Sequence, residues 1–112
     1  GNTVGPPLTS ADSNLTLEST ANDLIEITGT LQSTIVDFDN DTQVLDAIVG
    51  DGNTLSTKAA GGKCLMVVYQ GGNAYIYTVN AGGDAAVAAG EITLIGILED
   101  VGLGDLAPGD FI

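Results

Sequence analysis

At 112 residues, 44% of them hydrophobic, the chain is long enough for one globular domain with a modest core. Fifteen acids against two lysines give a formal charge of −13 at pH 7. That imbalance opposes compaction through self-repulsion and excludes the phosphate-seeking role of a basic domain, so nucleic acid is not an expected partner. With no His and a single Cys, the imidazole-dependent triads and dyads are excluded as well, and no Asp-Thr/Ser-Gly triplet suggests an aspartyl hydrolase. An enzyme is not expected.

Residues 1–14, "GNTVGPPLTSADSN", combine the only Pro pair with small polar letters and read as a flexible arm or linker. From residue 15 to 112 the pattern is that of a single β-rich domain. Short runs rich in Leu, Ile, Val and Thr, namely "LTLE", "DLIEITG", "TLQSTIVDF" and "TQVLDAIV", alternate with Asn, Asp and Gly and predict four strands with their turns. Residues 50–62 read as a loop that carries Lys58, with Lys63 just beyond it. The two lysines are either solvated or a small positive patch for an acidic surface on a neighbouring copy. Cys64, without a partner for an internal disulfide, opens the run "CLMVVY" and reads first as a small buried hydrophobe, and second as a cross-link between chains.

The clearest local signal is "CLMVVYQ", then Gly71-Gly72, then "NAYIYTV": two β-favouring runs joined by the residues that accept the positive φ of a tight hairpin turn. Tyr75 and Tyr77 share one face of the second arm, and a role covering the sheet is expected of them before a ligand platform. In residues 85–100 the polar letters Thr93, Gly96 and Glu99 fall three apart with Leu94, Ile95 and Leu98 between them. This spacing predicts a C-terminal helix, with a strand from Ile92 to Leu98 as the alternative. The expected fold is mainly β, an antiparallel two-layer sandwich-like domain with one C-terminal helix. No stretch approaches the ~20 apolar residues of a membrane-spanning helix. Residue 1 is Gly and no signal peptide is evident, which suggests a processed product or an excised domain.

Two acidic clusters are candidate metal sites. Asp37, Asp39 and Asp41 stand at alternate positions, the spacing at which a strand presents one face or a curling loop presents oxygens to a cation. Asn40 and Asp46 would be accessories. Thr42 stands where an EF-hand needs its Gly and Ile48 where it needs its Glu, so an EF-hand is excluded here, and a solvated turn is the competing reading. The second cluster counts Asn80 as the first position of a twelve-residue loop, with Asp84 fifth and Glu91 twelfth, the register of a calcium loop that feeds a helix. Only those three side chains offer oxygen, so the loop is either a weak site or one that keeps its shape without an ion.

Taken together, "STIVDFDNDTQVLDAI" and "NAYIYTVNAGGDAAVAAGEITLIGILEDVGLGDLAPGDFI" resemble the C-terminal regions of bacterial repeat-in-toxin proteins exported by type I secretion, including calcium-binding, S-layer-like surface proteins. In that group a strand runs into an Asp-Phe pair with further acids, an aromatic strand follows, and the chain closes on an acid before apolar residues, here Asp110-Phe111-Ile112. The family's glycine-rich calcium nonapeptide is absent, so its ligands do not carry over. The resemblance implies an acidic extracellular bacterial protein that folds outside the cell, where calcium is millimolar.

Two functions follow as expectations. One is a structural subunit that self-assembles into a surface layer, sheath or filament, with calcium as the cofactor and homo-oligomers or polymers formed through the N-terminal arm and sheet edges. The other is a calcium-binding C-terminal secretion or adhesion module of a larger type I-secreted protein.

Overall fold

The computed structural model describes residues 3–4, 8–17, 23–58, 62–83, 85–88 and 90–101. Among them the chain forms β1 (Thr3–Val4), β2 (Leu8–Thr9), β3 (Leu15–Leu17), β4 (Asp23–Thr28), α1 (Asp41–Val49), β5 (Leu55–Thr57), β6 (Lys63–Gln70), β7 (Asn73–Asn80), β8 (Ala86–Val87) and β9 (Ile92–Leu98). Over the described residues the protein is mainly β, with two sheets and one helix.

The β6–β7 hairpin is where the sequence signal is strongest, and the structure bears it out. Antiparallel pairs run from Lys63↔Asn80 to Gln70↔Asn73, and the turn places Gly71 and Gly72 at φ +63° and +81°. Around it grows a six-stranded sheet in the order β1-β4-β6-β7-β9, with β2 also on β4. The small sheet runs β3-β5-β8. Both sheets are mixed. β4 lies parallel to β6, β1 and β2 lie parallel to β4, and β3 lies parallel to β5. The expected antiparallel sandwich is therefore met only in part.

The near-continuous apolar run of β6 is explained by burial on both faces of the sheet, the condition under which a strand stops alternating. Cys64, Met66 and Val68 point into the larger core with Ile25 and Ile27 of β4, Leu17, Leu55 and Val87 of the small sheet, and Val44, Ala47 and Ile48 of α1. Val67 points the other way, into a smaller cluster with Leu24, Ala74 and Ile76. Cys64 is buried, in keeping with its reading as a small hydrophobe.

Three expectations are corrected. "TQVLDAIV" forms α1 rather than a strand. Asn40 caps it, its Oδ1 accepting the Gln43 N–H at 3.2 Å, and Val44, Ala47 and Ile48 recur at the three-to-four spacing that buries one helical face. "TLQSTIVDF" forms an irregular loop, because side chains rather than a neighbouring strand satisfy its backbone. Gln70 brackets Ile35, accepting its N–H at 3.0 Å and donating to its carbonyl at 2.9 Å.

The C-terminal helix is replaced by strand β9, which pairs antiparallel with β7. Between Ile76 and Tyr77 the register shifts, so that Leu94 opposes Tyr77, Gly96 opposes Ile76, and Ile95 is the extra residue of a bulge. One inserted residue turns two-residue alternation into steps of two and three, which imitates a helical period.

The N-terminal segment, expected as an arm, lies on its own domain where it is described. Beyond its pairing with β4, it places Ser10 in the interior, with Oγ donating to the carbonyls of Ile48 (2.7 Å) and Ala47 (3.2 Å) at the end of α1. No helix among the described residues is long and apolar enough to cross a membrane.

Gly50, with φ +84°, ends α1 and sends its N–H to the Asp46 carbonyl. A Cβ there would collide with the Asp12 carboxylate, which also accepts the Asn53 side-chain amide at 2.8 Å. Gly50→Ala is therefore expected to lower the unfolding free energy by ~1–3 kcal/mol in urea titration, combining left-handed strain with displacement of Asp12.

Candidate functional site

The first acidic cluster sits on the tyrosine stripe. Phe38 stacks on Tyr75 with centroids 3.5 Å apart and planes 5° from parallel, while the Tyr77 hydroxyl donates to the Phe38 carbonyl at 2.9 Å. Gln43 of α1 accepts the N–H groups of Val36 and Asp37, both at 3.1 Å. The loop is thus fastened from the sheet below and from the helix beside it. As expected, the stripe covers the sheet: Tyr77 has no exposed surface and belongs to the larger core.

Within this loop the carboxylates turn to backbone amides. Asp37 Oδ1 accepts the Asp39 N–H at 3.1 Å, closing a local turn, and the Asp37 carbonyl accepts the Asn40 N–H at 3.0 Å. Asp41, in the first turn of α1 where a negative charge is favourable, accepts the Gly90 N–H at 2.8 Å. Asn40 serves as the helix cap, and Asp46 lies half-buried on α1. Asp41 thereby joins the first cluster to the backbone of the second.

The second cluster is a loop tied shut at its ends. The Asn80 N–H donates to the Glu91 carbonyl at 2.9 Å, Asn80 Oδ1 accepts the Gly82 N–H at 3.2 Å, and Glu91 Oε1 accepts the Ala88 N–H at 2.8 Å. Gly82, at φ +67°, lies against Glu91, whose Oε2 would be 2.7 Å from a Cβ placed there. The loop feeds strand β9, not the helix that a calcium loop of that register requires. Its middle leaves as β8 to pair with β5. Asp84 lies outside the described residues.

Calcium can be tested against these donors. A calcium shell needs six to eight oxygens converging on one point. The described residues contain no group of three or more His, Cys, Asp or Glu that could hold a metal ion. Asp37, Asp41, Asn40, Asn80 and Glu91 each direct an oxygen at a backbone N–H instead.

A shallow groove of about 470 Å³ lies between residues 29–34 and the pair Tyr69 and Gln70. Tyr69 donates to Glu26 Oε2 at 2.5 Å beside it. Its lining offers hydroxyls and amides, and both ends of the Gln70 amide are engaged by Ile35. Lys58 and Lys63 are exposed at the end of β5 and the start of β6.

The feature that sequence reasoning missed is the outer border of β9, where Ile95 and Ile97 are 56% and 51% exposed. The minority strand reading of residues 92–98 was the signal that pointed to it. Comparison with family models, curated proteins and solved structures gave no match.

Burial, followed by the charges of Asp39, Tyr75, Asp41 and Asp37, pushes the Tyr77 hydroxyl well above the usual tyrosine range. It stays a neutral donor to Phe38 when the tyrosines of the unfolded chain ionise near pH ~10. Above that pH the unfolded state binds fewer protons than the folded one, so stability falls as pH rises through the window. Tyr77→Phe is expected to cost ~1 kcal/mol at neutral pH and to make the alkaline fall shallower, measured by urea denaturation between neutral pH and pH ~11.

Proposed function

We propose that this chain is a non-enzymatic extracellular module of a larger bacterial protein exported by type I secretion, serving in export or adhesion, with divalent cations as its counter-ions. The distribution of charge carries the reading. Among the described residues the buried polar side chains are Ser10 and Thr57, so in a chain of net charge −13 the acids whose burial is described lie at or near the surface around an uncharged core. Such a shell is relieved by screening, and divalent ions at extracellular concentration supply it. The resemblance to the C-terminal regions of exported calcium-associated proteins points to the same compartment. Because Asp37, Asp41 and Glu91 each spend an oxygen on a backbone N–H, calcium is expected to act here as a diffuse counter-ion.

A second reading, the self-assembling subunit of a layer, sheath or filament in a two-layer β framework, draws on the uncovered border of β9. It stands second because the N-terminal segment, the expected link to a neighbour, lies on β4 of its own chain.

Thermal melting and size-exclusion with light scattering test both. The midpoint should rise on adding millimolar calcium or magnesium and, more weakly, sodium chloride, while the chain elutes as a monomer. A rise peculiar to calcium would mean that a chelating shell forms on binding. Polymers on adding calcium would favour the second reading, and a midpoint indifferent to every cation would overturn the first.

A further inference from the structure

β9 ends the large sheet. β7 holds one side of it, and among the described residues no strand pairs with the other. The opposite border is made by β1 and β2, two residues each along β4, too short to offer a continuous ladder. An open border presents unpaired N–H and C=O groups and is a template for another strand unless Lys, Pro or an inward charge guards it. Ile92–Leu98 contains none of these; the bulge at Ile95 is its one irregularity. Its exposed side chains include two isoleucines.

Charge brackets this border. Glu91 precedes β9, while Glu99 and Asp100 follow it, the latter two exposed. Ile97 opposes Tyr75, on whose ring Phe38 is stacked, and Phe38 lies between the exposed Asp37 and Asp39. The repulsion that these aspartates exert on the Tyr77 hydroxyl places their charge over the same end of β7. The apolar strand therefore has carboxylates at both ends, and Asp37 and Asp39 add negative charge over the adjoining strand β7.

That rim selects the occupant. A second copy pairing antiparallel about Ile95 would set its Glu91 against Glu99, and like charges directly opposite destabilise a strand pair. It also brings net charge −13 and only two lysines, both outside β9. A strand with apolar side chains in its middle and cations around them complements every part of the border.

We propose that the outer border of β9 accepts an added strand from another protein, an extended segment carrying apolar side chains interspersed with lysines or arginines. Main-chain hydrogen bonds hold the segment, Ile95 and Ile97 pack against its apolar side chains, and Asp37, Asp39, Glu91, Glu99 and Asp100 steer and align its cations. The inference goes beyond the proposed function and does not depend on the export route or on calcium.

The test uses the whole chain, isotopically labelled, titrated with a short blocked peptide alternating lysine and valine. The same titration is run with peptides alternating lysine and glycine, and glutamate and valine. Amide shifts confined to residues 73–77 and 91–100 are expected with the lysine–valine peptide. Its Kd should be about tenfold lower than that of the lysine–glycine peptide, the worth of the apolar and strand-forming part. Ile95→Ser/Ile97→Ser should raise the lysine–valine Kd by about tenfold while the amide spectrum outside β9 keeps its folded pattern, since only about half of each side chain is buried. Methylating alternate peptide nitrogens removes ladder donors and should abolish the shifts, a readout that needs no variant. Equal affinity for the lysine–glycine peptide, shifts spread over the whole surface, or no binding would overturn the proposal. So would concentration-dependent shifts at residues 92–98 of the chain alone, which would make a second copy the occupant.

Discussion

The β6–β7 ladder is the constraint on which the rest of the molecule hangs. Its eight residue pairs bring two strands together with apolar side chains on both faces, so the hairpin is stable only when each face is covered. One face is met by α1 and the small sheet, which share the larger core with it. The irregular loop between β4 and α1 takes its place through the same two strands. Gln70 at the tip of β6 holds Ile35, and Tyr75 and Tyr77 of β7 hold Phe38. An acidic loop that would otherwise repel itself away from the sheet is kept there by one ring stack, one hydroxyl and two glutamines.

What was legible in the sequence follows from how local the signal is. The hairpin needs nothing beyond two β-favouring runs and two glycines, and it is found as read. The tyrosine stripe follows from the two-residue period of the same strand. The helix at residues 41–49 was written in Asn40 and in the spacing of Val44, Ala47 and Ile48, but four β-branched residues in the run obscured it. Strand β9 was hidden by its bulge, a product of register with β7 and so a tertiary property. The parallel pairings of β1, β2 and β3 join segments distant in sequence and leave no local trace. Asp37, Asp39 and Asp41 stand at the interval of ligands, and in the fold the same interval closes a turn and starts α1.

The same carboxylates give the surface its character. Each of the two acidic loops uses some of its oxygens to fasten its own backbone, and Asp41 links one loop to the other through Gly90. The remaining charge is left facing solvent around a core without ionised groups among its buried members. Part of the negative charge thus holds the loops together, and part, at Glu99 and Asp100, stays exposed at the end of β9.

The strand order also divides the molecule by distance along the chain. β6, β7 and β9 come from residues 63–98 and neighbour one another directly, whereas β1, β2 and β4 come from residues 3–28 and reach the sheet across the intervening α1 and β5. Closing short loops precedes closing long ones, because the entropy of the longer loop must be overcome before its contacts form. The antiparallel half is thus expected to assemble first, with the parallel half docking onto it. During that interval β6 offers its bare side to any passing strand, and the speed with which β4 arrives sets how long the nascent molecule is vulnerable to misassembly.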